Sequence, residues 1–588
     1  MSKFKRADWI ELALIFFWCT FLTNADSYIS PYLLMGMIGM CGCVARASIG
    51  YSTGENTGKQ EKILTNVYAA VLSAAVVLAN YKLFAGLPDD IIDSCVKLAE
   101  AILLFGSGIV LFKEVLHGVA HLDSIKKDNQ LLKNKKVVFW ALWAVLGLED
   151  GLILFGAQYP GELSVDSISQ MTQLLTRTYS NHHPYYHTQI IHAVVSLGLW
   201  LFGDINKAVA MYSLFSIVVM ISCFMYAVKT VYEATNNTKL SLMVYLYYLL
   251  MPFHIIYSIT MWKDVFFGAA VAGFAVACYR CLKLIGNSKI NYIVLFITAV
   301  GMCLLRSNGW LAFFLSAIVF ALLFGKKQKR LLVLFAVVLL STYALKHPAL
   351  KMLQVSQPDT IEALSIPVQQ IARVIADGRE LTEEQSRVLG SVVDLEKVPE
   401  EYDSGLSDPI KGLVREKADQ DYLKEHAADL VKVYLQLGVK YPLEYIKAWI
   451  DQTRGYWNGG YSYWRWSGNV QENTLGIQRT MKIWQINTML WGYLGAWESS
   501  PLLQIFLSIG LYVWCLLIAS FRTLIRKNSE ALFVTIPFLA VILTLLVATP
   551  VYAEFRYAYA VFCGFPFVLS VAFIEKVDTD VDACKKHL

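Results

Sequence analysis

Charge is what this sequence has least of. Asp, Glu, Lys and Arg make up 16% of its 588 residues, while 56% are hydrophobic. Soluble domains carry roughly a quarter charged residues, so a water-soluble fold is excluded. Strict apolar alternation is also missing. The apolar stretches between Trp9 and Phe573 run unbroken over nearly the 20 residues a spanning helix needs, which excludes a membrane β-barrel. The 11 cysteines avoid residues 348–500 altogether, so the long polar region carries no disulfide framework. Walker A, Gly-rich nucleotide, HExxH and GxSxG motifs are absent in a fitting context, and with them the usual support for soluble nucleotide donors, ATP-driven transport and serine lipolysis. The net charge of +5 implies no nucleic-acid surface.

What remains is an all-α polytopic membrane protein. The spacing predicts about fourteen transmembrane helices: 8–23, 31–48, 63–82, 97–116, 137–157, 207–230, 241–259, 265–283, 290–305, 309–324, 330–346, 501–522, 531–549 and 556–575. The first reads as a retained signal anchor, because Thr23-Asn24-Ala25 is a poor cleavage site. Four units follow: an N-terminal four-span module (1–136), a transmembrane core (137–346) whose first outer loop is 158–206, a mostly helical extracytoplasmic domain (347–500), and a three-span C-terminal module with a cytoplasmic tail (501–588). Residues 348–500 hold 16 basic and 21 acidic side chains, so the polar domain is acidic and the membrane part basic.

The apolar stretch Ile190 to Phe202 decides the topology. If it crosses, the cluster Lys326, Lys327, Lys329 and Arg330 falls outside. If it lies at the surface, every basic loop falls on one side, as the positive-inside rule demands. The second arrangement puts loop 158–206, Lys263-Asp264, Arg306-Ser307-Asn308, Glu554-Phe555-Arg556 and region 348–500 together on the outer face.

Each constellation there has two readings. Ser164 is placed to cap a short helix that sets Asp166, Gln170 and Gln173 on neighbouring positions. Asp166 is then either a general base for an acceptor hydroxyl or a first-turn acid favoured by the helix dipole. His182-His183 with His187 has an i, i+4 pair, but Pro184 intervenes and no further ligand sits at spacing. Hydrogen bonding to phosphate or sugar, or interfacial packing, explains it better than zinc. Lys263-Asp264 is a boundary acid facing a cavity or a snorkelling pair. Arg306, Arg454 and Arg556 are outer-face guanidiniums suited to phosphate or to a carboxylate such as Glu554 or Asp264. The six aromatics of Tyr456 to Trp466 fit an interfacial belt or a sugar cleft.

Tyr159-Pro160-Gly161 to Asp166, Asn181-His182-His183-Pro184, Trp262-Lys263-Asp264 and Leu305-Arg306-Ser307-Asn308-Gly309 resemble the motifs of a bacterial branch of the GT-C superfamily of membrane glycosyltransferases. The resemblance covers 137–346 well and 500–575 weakly. It implies a GT-C-like core in the bacterial plasma membrane, a polyprenyl-phosphate-linked sugar donor and a cell-envelope glycan or lipid acceptor on the extracytoplasmic face. By position it makes Asp166 the base and Asp264 the second-loop acid, both catalytic. Gln170, His182, His183, Lys263, Arg306, Asn308, Arg454 and Arg556 become the substrate-binding candidates. The Asp-Glu pair of mannosyltransferases and the Asp-x-Asp of metal-dependent oligosaccharyltransferases are absent, so neither metal nor cofactor is expected. The rivals are a polysaccharide polymerase or ligase using lipid-linked oligosaccharides, and a flippase, for which charges should line a mid-span path.

The charge sorting yields a direct test. Cysteine-accessibility labelling at Lys327 and at Ser404 is expected to report opposite sides of the membrane. The same side for both overturns the topology.

Overall fold

The computed structural model describes residues 5–23, 31–49, 58–84, 91–128, 132–460 and 468–576. Among them the chain is all-α, with isolated bridges and no β-strand. This is what an apolar sequence must do in hydrocarbon, where every backbone group needs a partner within its own segment.

The membrane part begins with α1 (Arg6–Thr23), α2 (Pro31–Ile49), α3 (Lys59–Ala79), α4 (Ile91–His121) and α5 (Lys135–Gly156). It continues with α6 (Val165–Thr176), α7 (Tyr185–Phe202), α8 (Ile205–Thr235), α9 (Thr238–Leu250), α10 (Pro252–Ser258) and α11 (Lys263–Leu282). Then come α12 (Ser288–Leu304), α13 (Gly309–Phe324) and α14 (Lys329–Ala344). The polar domain holds α15 (Leu350–Met352), α16 (Ser365–Ala376), α17 (Glu383–Gly390), α18 (Val398–Glu401), α19 (Asp408–Lys417), α20 (Gln420–Glu425), α21 (Ala427–Lys440), α22 (Pro442–Trp457) and α23 (Trp484–Ser499). The chain returns through α24 (Pro501–Gln504), α25 (Ile509–Ile525), α26 (Ser529–Ala548) and α27 (Tyr559–Phe573).

Among the described residues eight helices are long and apolar enough to cross a membrane, or ten if the two bent pairs each count as one span. The chain is thus a multi-pass membrane protein in its architecture. The bends have local causes. Pro252 opens α10 and turns it 61° from α9, and Ser508 caps α25, 64° from the short helix before it. All fourteen expected segments fall on helices, but α1, α2, α12 and α13 stand outside the count of ten. The first turns of α1 carry Arg6, Asp8 and Glu11, and α12 and α13 have only 17 and 16 residues. Helix α7, which contains Ile190 to Phe202, is outside it as well.

The core is organised around α11, buried on all sides among α8, α12, α26 and α27. Its Gly268, Ala269, Ala272, Gly273 and Ala275 let these helices approach closely, the usual means of packing in lipid. A Cβ on Gly273 would lie 2.8 Å from Thr298 Cγ2.

Helices α1 to α4 form a second apolar cluster, joined by Trp514 and Phe521 of α25. Arg522 of α25 donates to the carbonyls of Leu122 (3.0 Å) and Ala572 (3.1 Å). One guanidinium thereby satisfies the chain leaving α4 and the last turn of α27, whose carbonyl ends favour a cation.

Above the membrane-facing helix ends, Asp451 of α22 joins the polar domain to the N-terminal module. Its carboxylate, 1% exposed, takes Arg373 of α16 at 2.9 Å, the Tyr81 hydroxyl at 2.9 Å and Lys82 at 3.1 Å. Removing a buried ion from such a set strands its partners, at a cost of about 3–5 kcal/mol. Asp451→Ala is therefore expected to lower the melting temperature sharply, and Arg373→Ala by a similar amount. Thermal unfolding of the purified full chain in detergent checks this, and unchanged melting in both refutes the joint.

Candidate functional site

Where the polar domain meets the helix ends, an open cleft of about 1210 Å³ is lined by α6, the start of α11, the α12–α13 and α26–α27 turns, the end of α14 and the nearest part of the domain. Asp166, His182, His183, Lys263, Arg306, Asn308 and Arg556 all face it. Four separate stretches of sequence converge there.

The first loop is held against the second by a short backbone exchange. Glu162 N donates to Ile259 O (2.9 Å) and Met261 N to Glu162 O (3.0 Å). Ser164 caps α6 as expected, its N–H donating to Ser167 Oγ at 3.1 Å, while Ser167 Oγ donates to Met261 O and Trp262 Nε1 to Ser164 Oγ, both at 2.8 Å. These bonds put Asp166 opposite Lys263.

The third side is fixed from the domain. Gln452 and Tyr456 of α22 donate to the carbonyls of Pro550 (2.7 Å) and Val551 (2.9 Å), and Glu554 N donates to the Tyr456 hydroxyl (3.1 Å). The turn carrying Arg556 and Tyr557 is thus positioned by the polar domain. Tyr456 spends its hydroxyl here, inside the protein. It offers no sugar platform, and Tyr461 to Trp466 of the same aromatic run lie outside the described residues.

Two ion-paired layers result. At the surface, Asp166 takes Arg556 at 3.0 Å and Lys263 at 3.8 Å, and Lys263 Nζ donates to His183 Nδ1 at 3.1 Å. Behind it, Arg306 pairs with Asp264 at 2.9 Å, donates to Tyr557 O at 3.0 Å and stacks 4.3 Å above the Tyr557 ring. Burial alone would raise the Asp166 carboxyl, but Lys263 and Arg556 outweigh it and hold the group below the usual carboxylate range. His183 goes the other way from an ordinary histidine: burial, reinforced by the adjacent Lys263, pushes it down to about 4. Burial raises the Glu554 carboxyl despite its neighbour Arg556.

Three expected site residues are elsewhere, and each needs correcting. Gln170 is 1% exposed and turned inward, its amide donating to Thr188 Oγ1 (2.8 Å) and lying 3.1 Å from His187 Nδ1, so it braces α6 against α7. Asp264, also 1% exposed, does not line the cleft and serves as the buried counter-ion of Arg306. Arg454 lies away from the cleft, 3.8 Å from Asp451 in the joint described above. The histidines part as well: His182 and His183 reach the cleft, while His187 is fully buried against the Tyr212 hydroxyl at 3.0 Å.

The sequence reading missed Lys346, Arg415 and Glu362, which line the cleft. Lys346 was absorbed into the end of an apolar run, although on the expected topology a lysine there would defy the positive-inside rule just as Arg306 would. Of the Lys and Arg side chains lining the cleft, it alone has no carboxylate in ion-pair range among the described residues; its ammonium donates to Ser307 O at 3.0 Å. No local signal marks Arg415 and Glu362, which are brought in by the domain fold.

The depressed His183 group has a measurable consequence. Between its unfolded value near 6.5 and about 4, the unfolded chain binds a proton that the folded chain refuses, so stability falls as pH drops through that window. The slope is at most about 1.4 kcal/mol per pH unit. Asp166, whose folded value is depressed, keeps its contribution until lower pH. His183→Gln is expected to flatten the loss of melting temperature between pH 6.5 and 4, and an unchanged slope shows that His183 is not the group responsible.

No curated protein and no solved structure matches this chain. A family model does match over residues 174–586, taking in the cleft's second, third and fourth sequence stretches. The chain belongs to the family of unknown function DUF6020.

Proposed function

We propose that this protein is a GT-C-like glycosyltransferase with about fourteen spans in the bacterial plasma membrane. In this reading it transfers a sugar from a polyprenyl-phosphate carrier to a cell-envelope glycan or lipid on the extracytoplasmic face. The observation that carries the reading is the Lys263–Asp166–Arg556 cluster at the mouth of a cleft level with the helix ends. A lipid-borne phosphate must sit at that level, since its tail stays in the bilayer. An anion at a low-dielectric edge needs cationic compensation, or it costs several kcal/mol.

In the proposed reaction the acceptor hydroxyl attacks the anomeric carbon and the bond from that carbon to the phosphate oxygen breaks. Polyprenyl phosphate leaves with the electron pair, and the hydroxyl proton passes to Asp166. Arg556 and Lys263 hold the phosphate, with Arg306 and Lys346 adding positive charge nearby. Arriving phosphate competes with Asp166 for these cations, so the carboxylate becomes a stronger base when the donor is bound. His183, neutral at physiological pH, can accept from Lys263 without repelling it.

The cleft volume exceeds the 300–1,000 Å³ of ordinary small-molecule sites, which favours a substrate larger than one sugar and keeps the polymerase or ligase reading as the second choice. A flippase is disfavoured because the cleft's charges gather at one surface and not along a mid-span path.

Purified protein in nanodiscs should be incubated with a panel of polyprenyl-phosphate sugars and lipid-linked oligosaccharides, reading carrier release. Asp166→Asn is expected to lower turnover about a hundredfold or more, the loss of a general base, with melting nearly unchanged. Arg556→Ala is expected to weaken donor binding strongly and Arg306→Ala less, and Lys should rescue Arg556 only in part because it lacks the bidentate fork. Full activity in Asp166→Asn refutes the base assignment. Unaltered donor binding in both arginine variants puts the phosphate elsewhere.

A further inference from the structure

At the opposite ends of α3 and α4 from the cleft, Glu61, His117 and His121 bring one ligand atom each to within 4.8 Å of one another. We propose that these three side chains bind a divalent transition-metal ion of the zinc class. The inference is independent of any glycosyl transfer at the cleft.

The geometry follows from the helices. His117 and His121 are one turn apart on α4, so both imidazoles leave the same face. Their ring centroids lie 4.2 Å apart. Glu61 stands in the first turn of α3, which runs antiparallel to the end of α4 and packs along it. From Glu61 the helix rises about 27 Å, at 1.5 Å per residue, towards the Tyr81–Asp451 contact, so the trio and the cleft occupy opposite faces of the membrane region.

One further observation points to a cation. His121 Nδ1 lies 3.0 Å from the His117 carbonyl oxygen. A carbonyl only accepts, so Nδ1 carries the proton and Nε2 keeps its lone pair. This is the backbone hydrogen bond that ordinarily fixes the tautomer of a metal-bound histidine. One turn further into α4, Glu114 pairs with Arg46 at 3.1 Å, and Arg46 also binds Asp8 (3.1 Å) and Glu11. Three carboxylates thus share one guanidinium beside the trio.

Two imidazoles and one carboxylate select zinc, cobalt, nickel or copper over magnesium or calcium, which prefer all-oxygen sites. With tetrahedral geometry the trio leaves a fourth position for water. Bound metal would clamp the start of α3 to the end of α4.

The test uses the full chain in detergent, stripped with chelator, then equilibrated with Zn2+ and assayed for bound metal, with Co2+ absorption reporting ligand geometry. One ion per chain is expected, unaffected by Mg2+ and accompanied by a rise in melting temperature. Glu61→Gln, His117→Asn and His121→Asn should each weaken zinc binding at least tenfold and abolish the thermal shift. His182→Asn/His183→Asn should change neither. Should His117→Asn fail to fold, the variants at the helix ends, Glu61→Gln and His121→Asn, decide the matter. Zinc binding that survives both, or that disappears in the His182/His183 variant, overturns the proposal.

Discussion

The compensation of charge at a low-dielectric boundary governs this molecule. Lys263, Arg306 and Arg556 face Asp166, Asp264 and Glu554 within a few ångströms, at the level of the ends of the apolar helices. None of these charges is tolerable there alone. Their pairing explains why stretches almost 400 residues apart in sequence must meet, and why the 159–164 loop, the 259–262 loop and the 549–557 turn are laced together by backbone and tyrosine hydrogen bonds. Because Asp264 neutralises Arg306 from behind, the surface layer is left to balance itself, and only there is exchange with an external anion cheap.

That division was half legible in the sequence. Periodicity and length marked the helices well, since a run such as Val265 to Cys281 has no alternative fold in lipid. Charge sorting also brought Asp166, Lys263, Arg306 and Arg556 to one face before any coordinates. What it could not resolve was depth. Asp264 follows Lys263 directly, yet a helix sends consecutive side chains about 100° apart, so one reaches the cleft and the other the core. Gln170 failed for a related reason: it stands one turn beyond Asp166, and the local pattern cannot tell which neighbour will claim its amide. Arg454 failed differently: its partner Asp451 stands one turn back on the same helix and was legible, but that α22 holds the pair away from the cleft depends on how it packs against α3 and α16.

The polar domain does more than cover the cleft. It grips the turn that presents Arg556, and through Asp451 it also grips the turn between α3 and α4. The N-terminal helices, which no site motif touches, are therefore mechanically joined to the site by two routes: the Asp451 joint above the helix ends, and the packing of Trp514 and Arg522 of α25 at two levels within the membrane region. A constraint applied at the far ends of α3 and α4 meets a rigid lever and not a flexible tether.

The resting state of Asp166 bears on how such a site would avoid idle chemistry. A carboxylate held by two cations is a weak base, and water in the open cleft gains little from it. In the proposed reaction, base strength would return only when another anion draws Arg556 and Lys263 away, so Asp166 would be activated by the arrival of the donor itself. This coupling needs the cations to be shared and not dedicated, which is why Arg306, dedicated to Asp264 and Tyr557, cannot substitute for Arg556. In the same reading a neutral His183 is the better neighbour: a second positive charge beside Lys263 would bind a phosphate more tightly but would also keep Asp166 a weak base after the donor had come.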